Sequence, residues 1–209
     1  MKIAVLGATG WIGSTIVQQA TKRGLEVVSI VRDAAKVNDN TVVRVFDLQS
    51  QDSIASVLEG VDVVIASVGG RASGNHELVA QTAERLLNAL NNTNTRLLWV
   101  GGAGSLEVAP GVTLVSTPEF PDEYKAEALA QGEALKVFKT TTSSASWTFV
   151  SPAAIIYPGD NEGDYRIGDN TFFTNDAGES KVSVTDYATA MVDEAQNAAH
   201  VNQHISIAY

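Results

Sequence analysis

Lys2-Ile3-Ala4-Val5-Leu6 runs straight into Gly7-Ala8-Thr9-Gly10-Trp11-Ile12-Gly13, and few folds accommodate that order. Residues 2–6 read as a buried strand. Residues 11–23 place Ile12, Ile16, Val17 and Ala20 on one helical stripe, which Gly24 ends. Three glycines between strand and helix let the chain turn tightly, let another molecule approach the backbone, and let the helix lie close on its sheet. The unpaired N–H groups and dipole at such a helix start favour phosphate. The stretch therefore predicts a bound dinucleotide, contacted by Gly7, Thr9, Gly10, Trp11, Ile12 and Gly13.

The remaining pattern supports the same unit. Residues 26–31, 42–46, 61–67 and 96–100 read as four more strands, with helices at about 50–59, 75–91 and 122–139. Continuous apolar runs separated by helices imply an α/β fold, a parallel sheet covered on both faces. Right-handed crossovers favour a Rossmann-type doubly wound sheet in the order 3-2-1-4-5-6. Residues 101–121 carry no clear periodicity and read as a long functional loop. A sixth strand fits at 147–151. Surface turns fit at 158–170, and a short strand at 181–184. Thr185 and Asp186 offer a cap to a helix over 186–198, and 203–208 suggests a seventh strand. The chain reads as one domain over 1–209, with 152–185 forming a small substrate-side lobe.

Composition bounds the partners. The chain has 209 residues, 44% of them hydrophobic, which suffices for a substantial core, and no cysteine. A net charge of -10 argues against nucleic acid or an anionic membrane surface. No apolar stretch approaches the ~20 residues that span a bilayer, and no export signal is evident, so a cytoplasmic location is expected. No metal site is expected: Asp160, Glu162 and Asp164 read as a solvated turn, and His200 and His204 as surface side chains. His76 opens a helix and reads as solvated. A small-molecule substrate is the expected partner, and a homodimer is compatible with the sequence.

The Ala-Thr-Gly centre of the glycine loop resembles the extended and atypical short-chain dehydrogenase/reductases. Gly101-Gly102-Ala103-Gly104-Ser105-Leu106, Trp147-Thr148-Phe149-Val150-Ser151-Pro152-Ala153 and Ser183-Val184-Thr185-Asp186-Tyr187-Ala188 are similar, in the same order, to the NmrA-like and NADH-flavin-reductase-like branch. The resemblance implies that Asp47-Leu48 lie against adenine, although Asp47 also reads as a cap. It implies that Pro152 lies beside the nicotinamide, and Gly101, Gly102 and Ala103 are further cofactor-binding candidates. Small residues at Ser67-Val68-Gly69-Gly70 would let the backbone pass the ribose. The second strand ends Val31-Arg32-Asp33: Arg32 suits a ribose 2′-phosphate, so NADP(H) is preferred, while Asp33 keeps NAD(H) as the alternative.

The tyrosine–lysine pair of the wider superfamily is missing. Four residues beyond Tyr124 stands Ala128, and Lys125 is adjacent to the tyrosine, ~100° away around a helix. Ser105, Tyr124 and Lys125 are the catalytic candidates that remain, and Ser105 also reads as a turn serine. Tyr157 and Phe120 are candidate pocket walls, and Asp186 reads as a cap. The expected function is an NAD(P)H-dependent reductase of a flavin, quinone or similar conjugated acceptor. The alternatives are a non-catalytic NADP-sensing regulator and a sugar epimerase or dehydratase with a displaced dyad.

Overall fold

The computed structural model describes residues 1–37, 40–160 and 162–209. Along them run β1 (Lys2–Leu6), α1 (Trp11–Lys22), β2 (Glu26–Val31), β3 (Val42–Val45), β4 (Val63–Ala66), α2 (Glu77–Ala89), β5 (Arg96–Val100), β6 (Glu107–Ala109), β7 (Val112–Thr113), α3 (Asp122–Thr140), β8 (Trp147–Pro152), β9 (Ile155–Tyr157), β10 (Arg166–Gly168), β11 (Lys181–Ser183), α4 (Val184–Asn197) and β12 (Gln203–Ala208). Eight strands form one sheet in the order β10-β12-β8-β5-β4-β1-β2-β3. All its pairings are parallel except β10 on β12. The winding is thus 3-2-1-4-5-6, with β8 as its sixth strand and β12 as its seventh. Among the described residues no helix is long and apolar enough to cross a membrane.

Alternation along the strands divides the core in two. Ala4 and Leu6 of β1 face α2 and α3, in a cluster holding Val79, Leu86, Trp99, Phe138 and Phe149. Ile3 and Val5 face α1 and α4, with Ile16, Val17, Tyr187 and Met191. Phe138 of α3 lies 5.2–5.7 Å, ring centre to ring centre, from Trp99, Trp147 and Phe149, and so locks α3 across β5 and β8. All carboxyl ends of the parallel strands therefore open on one edge, where ligands of such sheets bind.

Four local expectations are corrected. The helix expected at 50–59 is only a 3-10 turn at Ile54–Val57. Ahead of it Asp47 accepts from the Gln49 N–H and Ser50 from the Asp52 N–H, so side chains compete with the helical backbone. Residues 101–121 are not a structureless loop: β6 and β7 pair antiparallel there, and Glu107 is tied to Asn170 and Phe172. The stretch 158–170, whose position 161 lies outside the described residues, contains the edge strand β10; three residues with one apolar side chain give no readable alternation. The last helix is capped by Ser183, whose Oγ accepts the Asp186 N–H at 3.0 Å, and it starts two residues early.

His204 is buried rather than a surface side chain, and His200 is only partly exposed, its ring held by Glu194. At the amino end of the sheet Glu194, 4% exposed, accepts from Arg96 at 2.9 Å and contacts His200 Nδ1 at 2.8 Å. Burial opposes ionisation of Glu194, but hydrogen bonds from His200 and Arg96 outweigh it and hold the carboxyl below its usual range. A carboxyl with a depressed native pKa stabilises the fold above the usual carboxylate range, and loses that contribution as pH falls through the native value. Glu194→Gln is expected to cost about 3 kcal/mol near pH 7, since it leaves a buried guanidinium without its counter-charge. In urea unfolding, the difference from wild type should shrink as the pH is lowered toward about 3.

Candidate functional site

The site is built on backbone contacts at the carboxyl end of β1. Gly7 has φ +82°, and a Cβ there would stand 2.2 Å from the Ser67 carbonyl oxygen beyond β4. A Cβ on Gly13 would stand 2.2 Å from the Gly7 carbonyl oxygen. The Gly10 N–H donates to that same oxygen at 2.9 Å, closing the turn. Gly10 is the N-cap of α1 and offers no side chain, and the first turn of α1 holds no acid. The N–H groups of Trp11, Ile12 and Gly13 have no partner within the helix and face outward with the positive end of its dipole. The cradle is therefore backbone throughout, which fits a pyrophosphate.

From this turn a cleft of about 390 Å³ runs toward β2 and β3. Gly7, Thr9, Gly10, Arg32, Asp47, Leu48, Val68 and Gly69 line it, as does Lys36, which sequence reasoning missed. A wider and more polar hollow, lined by Gln49, Asn75, Glu84 and Arg85, adjoins it across Leu48 and Leu78 but lacks the glycine turn. Arg32 is exposed, and neither it nor Lys36 has an acidic partner among the described residues. Asp33 is occupied elsewhere: its Oδ1 accepts the Ala35 N–H at 3.0 Å and caps the turn that carries Lys36. Asp47 lines the cleft, and its Oδ1 accepts the Gln49 N–H at 2.9 Å in a local turn rather than capping a helix.

Gly101, Gly102, Ala103 and Pro152 lie farther along the same edge, beyond β5 and at the end of β8, outside the walls of this cleft. The Gly102 carbonyl is heavily engaged. Ser105 Oγ donates to it at 3.1 Å and Ser151 Oγ at 2.9 Å, and His204 Nε2 lies 2.9 Å from Ser151 Oγ. With the Ser151 proton on Gly102, His204 must donate from Nε2, and its buried Nδ1 has no partner. Burial, reinforced by Lys139 and opposed by Asp169, pushes the imidazole down to about 4, so it is neutral near pH 7. Across the planar trans peptide, the Ala103 N–H points away from these donors. Ser105, 8% exposed, thus orients the loop rather than presenting a free hydroxyl.

Of the three catalytic candidates Ser105 is buried, whereas Tyr124 and Lys125 lie exposed in the first turn of α3. Tyr124 is 48% exposed at the start of α3, with the Arg71 guanidinium 5.1 Å from its ring centre. Lys125 is exposed. Ala128, four residues beyond Tyr124, is buried against Gly104. The side chains that α3 does direct at the loop after β4 are Glu127 and Gln131, one turn apart. Glu127 accepts from the Gly70 and Arg71 N–H groups at 3.1 and 2.9 Å. Gln131 accepts from Trp99 Nε1 and donates to the Val68 carbonyl, both at 2.9 Å. Their i, i+4 spacing places both on one face of α3 and is the one trace of them in the sequence.

These features match a known sequence profile. Residues 7–198 match that of the NAD(P)H-binding family. The chain belongs to this family. Its neighbours place it with the NmrA-like, NADH-flavin-reductase-like branch of the atypical short-chain dehydrogenase/reductases. The uncharacterized protein YwnB of Bacillus subtilis strain 168 is 40% identical over 99% of this chain and 98% of its own. A candidate NADH-flavin reductase of Streptococcus pneumoniae TIGR4 superposes with a TM-score of 0.92 at 36% identity, covering 100% and 99% of the two chains. A candidate epimerase of Bacteroides thetaiotaomicron gives 0.88 at 33%, covering 100% and 96%.

The Gly7–Gly13 contact gives a direct test. Gly13→Ala must push the start of α1 off the turn, because the obstructing atom is backbone. We expect a loss of roughly 1–3 kcal/mol in stability from overpacking. Fluorescence titration with NADPH should show at least a roughly tenfold weaker complex, as the helix N–H groups move out of register.

Proposed function

We propose that this protein is an NADPH-dependent reductase that delivers hydride directly to a flavin, quinone or similar conjugated acceptor. The observation that supports the reading is a nucleotide cradle joined to an α3 without a tyrosine–lysine pair at i, i+4: four residues beyond Tyr124 stands Ala128, buried against Gly104. When bound, the nicotinamide supplies the hydride, and the protein has to supply alignment and exclusion of water. Gly7, Thr9, Gly10, Trp11, Ile12 and Gly13 would hold the pyrophosphate. Asp47 and Leu48 would hold the adenine. Val68, Gly69, Gly101, Gly102, Ala103 and Pro152 would hold the nicotinamide half. Ser105 and Ser151 would fix the Gly102 peptide. Residues 152–185 would form a small lobe over the acceptor. The name of the S. pneumoniae neighbour is consistent with a flavin as acceptor.

Preference for NADPH over NADH rests on Arg32 and Lys36, two cations on one cleft wall, with Asp33 turned into its own cap. An arginine at this position matches the 2′-phosphate, whereas a free carboxylate would favour the 2′-hydroxyl.

Two measurements test the reading. Absorbance near 340 nm should fall when the purified protein meets NADPH with FMN or a naphthoquinone; a tight NADPH complex with no turnover would sink the reductase reading. Arg32→Ala and Lys36→Ala should each weaken NADPH by roughly tenfold, as expected for loss of one charge-assisted bond, and leave NADH nearly unchanged. An unaltered NADPH-to-NADH affinity ratio in both variants would exclude these residues as phosphate readers.

A further inference from the structure

The glycines after β4 are not there for backbone conformation, since neither Gly69 nor Gly70 has a positive φ. They are there for space. A Cβ on Gly69 would stand 3.0 Å from Glu127 Oε1. One on Gly70 would stand 2.5 Å from His76 Cα and 2.9 Å from its Cδ2. The pair expected to clear a path for ribose therefore also admits a carboxylate and an imidazole.

Those two groups meet beside the cleft. Glu127 Oε2 lies 3.5 Å from His76 Nε2. The Gly70 and Arg71 N–H groups hold the carboxylate from two directions, and Gly69 is itself a cleft wall. His76 is the residue before α2, and its side chain is 38% exposed, so one edge of the ring meets solvent. The other charged groups nearby do not displace the contact. The Arg71 guanidinium is turned onto the Tyr124 ring and the Glu123 carbonyl. Glu77 follows His76 as the first residue of α2.

A carboxylate that orients an imidazole is a recurrent acid–base arrangement. We propose that His76, positioned by Glu127, donates the proton that completes reduction of a carbonyl-type conjugated acceptor, of which a quinone is the representative. The inference rests on the reductase reading above and narrows its acceptor class. The balance is simple. A hydride from the dihydronicotinamide carries two electrons and one hydrogen to the quinone, giving the hydroquinone monoanion. The His76 imidazolium transfers one proton to the anionic oxygen and becomes neutral imidazole. Solvent at its exposed edge returns the proton.

The test uses the full-length protein with NADPH and 1,4-naphthoquinone, with FMN as a second acceptor. His76→Ala should lower kcat for the naphthoquinone by roughly a hundredfold, the usual scale of general acid catalysis, with a smaller fall for FMN. Its NADPH affinity, by fluorescence titration, and its melting temperature should stay near wild type. Added imidazole should restore much of the lost rate. Glu127→Gln should lower kcat roughly tenfold with little change in KM, and add little once His76 is gone. Wild-type kcat in His76→Ala would overturn the proposal alone. So would equal losses for both acceptors accompanied by weaker NADPH binding, which would mark a loop-bracing role. A wild-type protein that binds NADPH but reduces neither acceptor would remove the reductase reading and the proton step with it.

Discussion

Three backbone segments meet at Gly7 closely enough that no side chain fits between them. The carbonyl after β4 presses on Gly7, and the Gly7 carbonyl presses on Gly13 at the start of α1. Backbone cannot change rotamer to relieve a contact, so these approaches fix the start of α1 against β1 and the loop after β4 against both. The direction of the helix dipole and the floor of the cleft follow from that arrangement. So does the position of Val68 and Gly69, from which the rest of the carboxyl edge is built.

The opposite wall is set by α3. Its aromatic anchor, Phe138, packs against Trp99, Trp147 and Phe149 and fixes where the helix crosses the sheet. About two and three turns nearer the edge, Gln131 and Glu127 reach the loop after β4. The polar side chains that this helix turns toward the loop after β4 are therefore an amide and a carboxylate. Gln131 bonds only to groups already in the fold, and its two ends are both spent. Glu127 retains acceptor capacity beyond its backbone donors, which is what allows it to engage His76 as well.

Periodic features were legible in the sequence and pairwise ones were not. The glycine loop, the strands around it and the helix at 122–139 follow from spacing within one segment. Strand order follows from the handedness of crossovers, so the winding could be read as well. The helix expected at 50–59 gives way to the 3-10 turn at Ile54–Val57 after a stretch in which Asp47 and Ser50 each bond the N–H two residues on, in local turns that no periodicity reveals. Strand β10 escaped because its pairing with β12 depends on backbone bonds rather than pattern. His76 and Glu127 are 51 residues apart in sequence, and nothing local to either predicts the other. His204 looked exposed beside His200 because a histidine spacing says nothing about a strand that buries every second residue on each face.

The charge of the molecule and the charge of its cleft point in opposite directions, and distance decides between them. A chain of net charge -10 repels a dinucleotide at long range, but at physiological ionic strength that repulsion decays over about 8 Å. A unit pair in contact near a protein surface gains about 4 kcal/mol, before desolvation is counted. The local arrangement therefore governs binding, and it is one-sided. Among the described residues, Asp47 on the cleft wall accepts from the Gln49 N–H, and in the adjoining loops Asp33 accepts from Ala35 and Glu127 from Gly70 and Arg71. Arg32 and Lys36 have no acidic partner among the described residues. By tying its acids into turns and leaving these cations facing the cleft, an acidic protein keeps a place suited to an anionic cofactor.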